Sequence, residues 1–425
     1  MKHLFYGGVH PNDKKSLSIN NMSFQTIIPD EIIIPLKQNF GECTPLVKEG
    51  DYVLCGQKIG EGKGLCVPVH SSVSGYVQKI EPRIVSSNVE VMCVVIKNDF
   101  LDKTIEFEKF DNTDLVSFIR EKGLVGMGGA SFPTFAKISS AIDKIDTLIA
   151  NGCECEPYIT SDDMLIRTNA SDVLKGIRIL GNFLKPQRMV LAIEDNKVEA
   201  IEELMSLNEE FSDIEIKVLP TRYPQGSEKQ LIQAVTGREV PPRGLPHDVK
   251  CAVFNVTTLA KVYDAVVNGK PVLERIVTVT GEGVANPQNF IVKIGTKAED
   301  LIKAAGGLAT NTEFVINGGP MMGTSISSLE CPVTKATNSI LCLVENTKEE
   351  QKNCIRCGKC LTVCPMKLQP IYMYKYCNAE NFKKLDKYNL IDCIGCGACS
   401  YTCPAKLPLT KTFREFKIKM KEVKL

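Results

Sequence analysis

The chain has no tryptophan, four histidines in 425 residues, and no apolar run near the ~18 residues that a membrane span needs. His3, His10, His70 and His247 all sit in loop-like text, so a histidine-based catalytic relay is not expected. His70 in particular reads as a turn residue rather than a ligand. Charge of one sign is missing as well: 51 Lys and Arg against 50 Asp and Glu leave +1, with no basic run interleaved with aromatics. That pattern excludes the electrostatic footprint of a nucleic-acid binder. The opening, MKHLFYGGVHPNDKK, lacks the apolar core of a signal peptide, so a protein of the cytoplasmic side is expected, soluble or peripheral. The remaining composition, 44% hydrophobic and 24% charged, is that of a globular chain. At roughly 100–200 residues per domain it holds three or four domains.

Cysteine is abundant, at 18 residues, in a chain far too long for a disulfide-stapled scaffold. Eight of them form two runs, CIRCGKCLTVCP from Cys354 and CIGCGACSYTCP from Cys393. Each reads C-x2-C-x2-C-x3-C-P, the run by which bacterial-type ferredoxins hold 4Fe–4S clusters. Three thiolates from one tight loop converge on a cubane, and Gly358, Gly395 and Gly397 relieve the crowding of that loop. The fourth cysteine of each run serves the other cluster. One cluster is therefore assigned to Cys354, Cys357, Cys360 and Cys403, the second to Cys393, Cys396, Cys399 and Cys364. Zinc is the rival, but its spacings give two pairs of cysteines rather than four and a proline, twice over. The other ten cysteines are scattered and read as small buried apolar residues.

The rest of the text divides into an N-terminal arm (1–30), a β-rich segment (31–110), an α/β segment (111–250), a mixed segment (251–347) and the cysteine domain (348–425). Short β-runs split by Gly, Pro and Asp between Ile32 and Lys97 indicate a barrel or sandwich. VKEGDYVLCGQKIG followed by VPVHSSVSGYVQKI resembles the barrel-sandwich hybrid of lipoyl and biotinyl carriers. The carrier lysine is absent from the corresponding tip, His70-Ser71-Ser72, so this segment is scaffold or docking surface. Helix-like and strand-like stretches alternate from Leu115 to Leu219, the signature of a three-layer α/β domain. Short strands around one helix, from Glu274 to Gly323, suggest a β-grasp-like domain. Residues 365–392 read as helical, with Tyr372, Tyr376 and Phe382 against the clusters. In the tail, Leu409, Phe413, Phe416 and Met420 form one helical stripe opposite Lys411, Arg414, Lys417, Lys421 and Lys424. It is either a solvated terminal helix or a basic membrane-surface or partner helix.

Two stretches of the α/β segment carry candidate chemistry. GLVGMGGASFPTFAK places Gly123, Gly126, Gly128 and Gly129 in one loop ahead of a helix, whose N-terminus favours anionic groups. Ser131 breaks the dinucleotide fingerprint, and no P-loop lysine follows. NGCECEP then delivers Asn151, Glu154 and Glu156 at a strand's carboxyl end, where open α/β sheets place ligands. A plain polar turn is the structural alternative.

Together these stretches resemble the flavin and NADH loops of the flavoprotein subunit of respiratory complex I. With GGVHP, VPVHSSVSG, YPQGSEKQLI and the doubled cysteine run, nearly the whole chain resembles the C subunit of the Rnf electron-transport complex. That resemblance implies a barrel-sandwich hybrid, an FMN/NAD(H)-binding α/β domain, a β-grasp-like SLBB domain and a mostly helical two-cluster ferredoxin domain. It implies FMN, bound non-covalently, NAD(H) and two 4Fe–4S clusters. It implies a peripheral place on the cytoplasmic face of the plasma membrane, with ferredoxin and other subunits of a membrane-bound ion pump as partners. Residue by residue, Gly123, Gly126, Gly128 and Gly129 would wrap FMN and the dinucleotide, and Phe132 would stack on a ring of the latter. Lys137 would meet the FMN phosphate or isoalloxazine edge, Asn151 and Glu154 the flavin, and Glu156 the NADH ribose or amide. Asn255 and Thr258 match residues that hold the FMN phosphate, and Gly226, Ser227 and Glu228 fall where complex I has Gly-Glu-Glu. The chain departs from complex I at Cys153, where that family has an acid, and in having two cysteine runs.

The implied function is exchange of a hydride with NAD(H) through FMN and of single electrons through the clusters, which needs no acid–base triad. Two alternatives share the architecture: a soluble NADH-dependent cobalamin reductase, and an electron wire without flavin.

Overall fold

The computed structural model describes residues 4–21, 26–38, 40–344 and 350–422. The β-rich text forms β1 (Glu31–Pro35), β2 (Lys58–Glu61), β3 (Gly75–Ile84) and β4 (Glu90–Asn98), with shorter strands between them. β4 pairs antiparallel with both β1 and β3, while β2 joins Thr44–Pro45 and Val69–His70 in a second small sheet. β1 is apolar without alternation because both its faces are covered: Ile32 and Ile34 enter the main core, Ile33 a second one with Cys93 and Val95. The carrier-like tip is no free hairpin end. Ser71 and Ser72 are buried, and Ser72 Oγ donates to the Ile294 carbonyl at 2.5 Å, so this surface docks inside its own chain.

The α/β domain contains α1 (Leu115–Glu121), α2 (Thr134–Ala141), β5 (Thr147–Gly152), α3 (Ser161–Leu184), β6 (Arg188–Glu194), α4 (Val198–Ser206), β7 (Ile214–Leu219), α5 (Glu228–Thr236), β8 (Cys251–Asn255) and α6 (Val256–Asn268). Asp114 caps α1 through the Val116 and Ser117 amides. The sheet runs β7-β6-β5-β8, all parallel. Leu148 and Ala150 of β5 face one helical layer and Ile149 the other, which gives the three layers. α3 packs so closely on α6 that a Cβ on Gly176 would lie 2.0 Å from the Leu259 carbonyl oxygen. The expected boundary at residue 250 needs correction. Cys251–Asn255 is a strand of this sheet, so the unit extends through α6, and the proline-rich stretch before it is a loop within the domain.

Next come β9 (Glu274–Thr280), β10 (Gln288–Lys293), α7 (Ala298–Ala304), β11 (Thr312–Asn317) and β12 (Ser339–Val344). The sheet order is Thr26–Ile27, β10, β9, β12, β11, Thr324–Ser325, so the N-terminal arm supplies an edge strand. Earlier the arm threads between domains: the Gly8 amide donates to the Val363 carbonyl, and Val9 bridges Tyr223.

The cysteine domain is helical as expected: α8 (Lys359–Thr362), α9 (Pro370–Asn378), α10 (Phe382–Lys387), α11 (Ala398–Tyr401) and α12 (Leu409–Glu422). Tyr376 and Phe382 pack into its core, whereas Tyr372 is half exposed and stacks on Tyr388. The α12 stripe, Leu409, Phe413, Phe416 and Met420, is buried there too. A membrane-surface helix would need that stripe free, so the membrane reading of the tail is set aside; Lys424 lies outside the described residues. Phe413→Ala is expected to destabilise this domain by about 3–5 kcal/mol through the cavity it leaves, read as a lower denaturation midpoint.

Candidate active site

The chain runs from β5 outward to β6 and β7, then returns to β8 on the other side of β5. That reversal opens a crevice at the carboxyl ends of β5 and β8, the usual ligand position in such sheets. A cavity of about 800 Å³ lies there. Its walls come from the glycine loop, the NGCECEP segment, the β8 end, the barrel, the β9–β12 domain and one residue of the second cysteine run, Ile394.

Of the residues expected to bind a cofactor, Gly128, Gly129, Asn151, Glu154, Glu156, Gly226 and Asn255 line the cavity. Asn151 ties its floor together, its Nδ2 donating to the Gly226 carbonyl at 2.8 Å and its Oδ1 accepting from the Cys153 amide at 3.0 Å. Asn255 caps α6 through the Thr257 and Thr258 amides, and its Nδ2 donates to Asp162 at 2.7 Å. The cavity thus meets a helix N-terminus whose first amides are taken by its own cap, beside the Asp162 carboxyl. Thr258 supports the loop from behind, its hydroxyl accepting from the Met127 amide. Gly129 has φ +127° and open space where a Cβ would stand, so the backbone there can approach a ring closely.

Four of the expected residues stand apart from the cavity lining. Gly123 (φ +68°) packs against Pro68 and Lys335, and Gly126 turns its amide to the Phe132 carbonyl; neither lines the cavity. Phe132 sets its ring edge against Phe40, 5.1 Å between centroids. Lys137 donates to Glu228 at 2.7 Å and to the Val253 carbonyl at 3.0 Å, so this pair closes on itself beside the cavity.

Sequence reasoning missed the contributions from far along the chain. His70 is a buried strand residue of the cavity wall, not a turn; burial and then Lys335 hold its pKa well below the usual imidazole range. Lys335 donates to the Pro68 and Gly123 carbonyls, at 3.1 and 2.7 Å, and burial draws it down to about 8. The Gly318–Gly323 turn forms the opposite wall, and its only sequence signal is the glycine-rich NGGPMMG.

Glu156 clamps that turn, its Oε2 accepting from the Met321 amide at 3.1 Å. Burial raises its carboxyl to about 7, against the pull of the Met321 and Met322 amides. Between the ordinary carboxylate range and pH 7 the folded state therefore binds more protons than the unfolded chain, and this residue's contribution to stability falls as pH rises through that window. Glu156→Gln should gain stability relative to the parent by about 1–3 kcal/mol between pH 5 and pH 8, measured as the difference in denaturation midpoints.

Cys364 lies beside the second cysteine run. Cys364, Cys393, Cys396 and Cys399 line one small cavity, which Cys403 does not enter. Burial raises the Cys399 thiol to about 12, with Cys393, Cys396 and Cys364 adding to it through space. Cys360 is raised by burial and then by Cys403, Cys354 and Cys357. Among the described residues no three His, Cys, Asp or Glu side chains converge as a single metal ion demands. Ile394 forms part of the main cavity's wall, and the Tyr223 hydroxyl donates to the Cys396 carbonyl at 2.7 Å, so the Cys364-containing set adjoins that cavity. Cys354 and Cys357 of the other set are exposed.

Comparison with known proteins follows the same divisions. Residues 3–101 match the RnfC barrel sandwich hybrid domain, 119–264 the Nuo51 FMN-binding domain, 276–325 the SLBB domain and 353–407 the 4Fe-4S dicluster domain. A solved NAD+-reducing NiFe-hydrogenase in its H2-reduced state shares the fold, with a TM-score of 0.51 and 19% identity over 72% of this chain and 62% of that one. Fold and site together define a multidomain redox protein, an FMN-type α/β domain joined to a dicluster ferredoxin domain. The C subunit of the ion-translocating oxidoreductase complex of Haemophilus influenzae is 41% identical over 99% of this chain and 66% of its own length. The C subunit of the Na(+)-translocating ferredoxin:NAD(+) oxidoreductase complex of Acetobacterium woodii is 41% identical over 92% of this chain and 91% of its own. The chain belongs to this RnfC family, as its motifs led one to expect. It spans 53–66% of the length of the Haemophilus influenzae relatives.

Proposed function

We propose that the protein is the electron-transfer subunit of a membrane-bound, ion-translocating ferredoxin:NAD+ oxidoreductase. It would exchange hydride with NAD(H) in the main cavity and pass single electrons through two 4Fe–4S clusters. The observation that carries this reading is the shared wall: Ile394 of the second cysteine loop lines the cavity where the flavin-type domain presents its polar strand ends. A flavin, when bound, supplies the conversion between two-electron and one-electron chemistry. The chain's own part is positioning. Asn255 would meet a phosphate at the α6 N-terminus by giving up the Thr257 and Thr258 amides it now caps, Gly128 and Gly129 would let a ring lie against bare backbone, and Asn151 would fix the floor. Lys335 and His70 would close the barrel side and keep water out.

The Cys393, Cys396, Cys399 and Cys364 set would exchange electrons with the cavity, and the Cys354, Cys357, Cys360 and Cys403 set, with its exposed edge, would face the partner. Ferredoxin or a neighbouring subunit is that partner. Attachment at the cytoplasmic face would be peripheral, since among the described residues no helix is long and apolar enough to cross a membrane. Anaerobic purification and reconstitution followed by denaturation should release about one FMN per chain and about eight irons. Iron without flavin would leave only an electron wire.

A further inference from the structure

We propose that a second cavity, behind the main one, conducts the proton that nicotinamide chemistry requires, with Glu154 and Glu194 as its relay residues. The inference rests on the nicotinamide reading above. Reduction follows NAD+ + 2 e− + H+ → NADH. Electrons arriving singly through thiolate-bound clusters bring no proton, so one proton per NADH enters from solvent, and one leaves when the reaction runs in reverse. A path through side chains would let that proton reach the cavity while ligands fill it.

The second cavity holds about 260 Å³ and shares Glu154, Cys155 and Tyr223 with the main one. At its rim stand His10 and Asp13, both exposed; at its floor stand Lys15 and Glu194, both buried. Glu154 faces both spaces. Its Oε1 is fixed by the Ser161 hydroxyl at 3.1 Å and the Asp162 amide at 2.8 Å. Its Oε2 has no hydrogen-bond partner among the described residues and lies 3.8 Å from Lys15 Nζ.

Glu194, at the carboxyl end of β6, is wholly buried. Neither oxygen has a well-formed hydrogen bond among the described residues: the Arg222 amide is directed at the carboxyl, and Lys197 Nζ stands 3.7 Å away. A buried carboxylate so thinly served by donors is costly unless water serves it too. The cavity beside it, with Asp13, Asn196 and Thr221 in its lining, is roomy enough for several ordered waters, whose hydrogen bonds would carry a proton from rim to Glu194 to Glu154.

The other acids of the main cavity do not reach the second one. Both Asp162 oxygens are engaged, by Asn255 and by the Thr257 hydroxyl; Glu156 holds the Met321 turn through Oε2, and its Oε1, without a partner among the described residues, belongs to the main cavity alone. Charges of both signs face the relay: Lys15, Lys197 and Arg222 against Glu194 and Glu154, with His10 and Asp13 at the rim, Asp163 beside Arg167, and Arg275 and Asp162 further in. Lys15 is pinned by the Glu156 and Ile159 carbonyls. Burial raises the Glu194 carboxyl despite Lys197 and Lys15, which brings its proton exchange closer to neutral pH.

The test uses the full chain reconstituted with flavin and iron, mixed with NADH and a one-electron acceptor in weak buffer, with a pH-indicator dye recording proton release. Glu194→Gln should slow release about 10- to 100-fold, with flavin and iron content and equilibrium NADH binding unchanged. Millimolar small weak acids should restore the rate, Glu194→Asp should keep most of it, and the solvent isotope effect should grow in Glu194→Gln. Glu154→Gln should show the same slowing and the same rescue. Unchanged release in both Gln variants, or slowing that weak acids do not relieve, overturns the relay. Wild-type protein that binds flavin but releases no proton with NADH overturns the nicotinamide reading, and the relay with it.

Discussion

Cys364→Ala should abolish the cluster whose other ligands lie about thirty residues downstream, and spare the one built by its own run. Cys364 shares a cavity with Cys393, Cys396 and Cys399, so its loss leaves that set with three thiolates. Reconstituted iron should fall by about half. The remaining cluster, held by Cys354, Cys357, Cys360 and Cys403, should keep its spectroscopic signal. Because the lost cluster is the one adjoining the main cavity, reduction by NADH should stop at the flavin. Transfer to an external one-electron acceptor should drop by about two orders of magnitude or more, a barrier increase of roughly 3 kcal/mol. Cys403→Ala should give the mirror result, with the inner cluster intact and the exposed one gone. If each variant instead loses only the cluster of its own run, the crossed assignment is wrong.

How much of this was legible beforehand depends on how local the governing rule is. A cubane imposes its spacing within one loop, so Cys354 to Pro404 declared its chemistry from the letters alone. Strand–helix alternation and a glycine loop are nearly as local, and the polar strand end at Asn151 and Glu154 fell where a parallel sheet reverses direction. The cavity wall is not local. His70, Lys335 and the Gly318–Gly323 turn reach it from distant parts of the chain, and each looks like ordinary turn or strand text on its own. Lys137 is a related case: a lysine beside a glycine loop looks free to take a phosphate, and only tertiary packing sets Glu228 at 2.7 Å from it. The domain boundary failed because prolines mark a break in regular structure, and a break within a sheet domain reads the same as a linker between domains.

Glycines separate structural from ligand-facing roles more sharply than any other residues here, and Gly226 gives the second large effect. Its φ lies in the ordinary range, so the only obstacle to a side chain is space, and there is none: a Cβ would stand 2.1 Å from the Cys153 carbonyl oxygen. Backbone cannot yield as a flexible side chain would. Gly226→Ala must therefore push the α5 entry away from the NGCECEP segment and break the 2.8 Å bond from Asn151 to the Gly226 carbonyl. The overpacking should cost about 1–3 kcal/mol of stability. The displaced floor should weaken flavin retention about 100-fold, a loss of roughly 2.7 kcal/mol in binding, measured by titrating FMN into the apoprotein. Gly126→Ala is the informative control. Its Cβ would meet the Phe132 carbonyl oxygen at 3.4 Å, an ordinary contact, and the residue does not line the cavity. Although it belongs to the loop that sequence alone assigns to the cofactor, its substitution should change FMN affinity by no more than about threefold, or ~0.7 kcal/mol. Equal losses from both variants would mean that the loop binds as a whole through its backbone, and that the cavity floor is not where affinity is set.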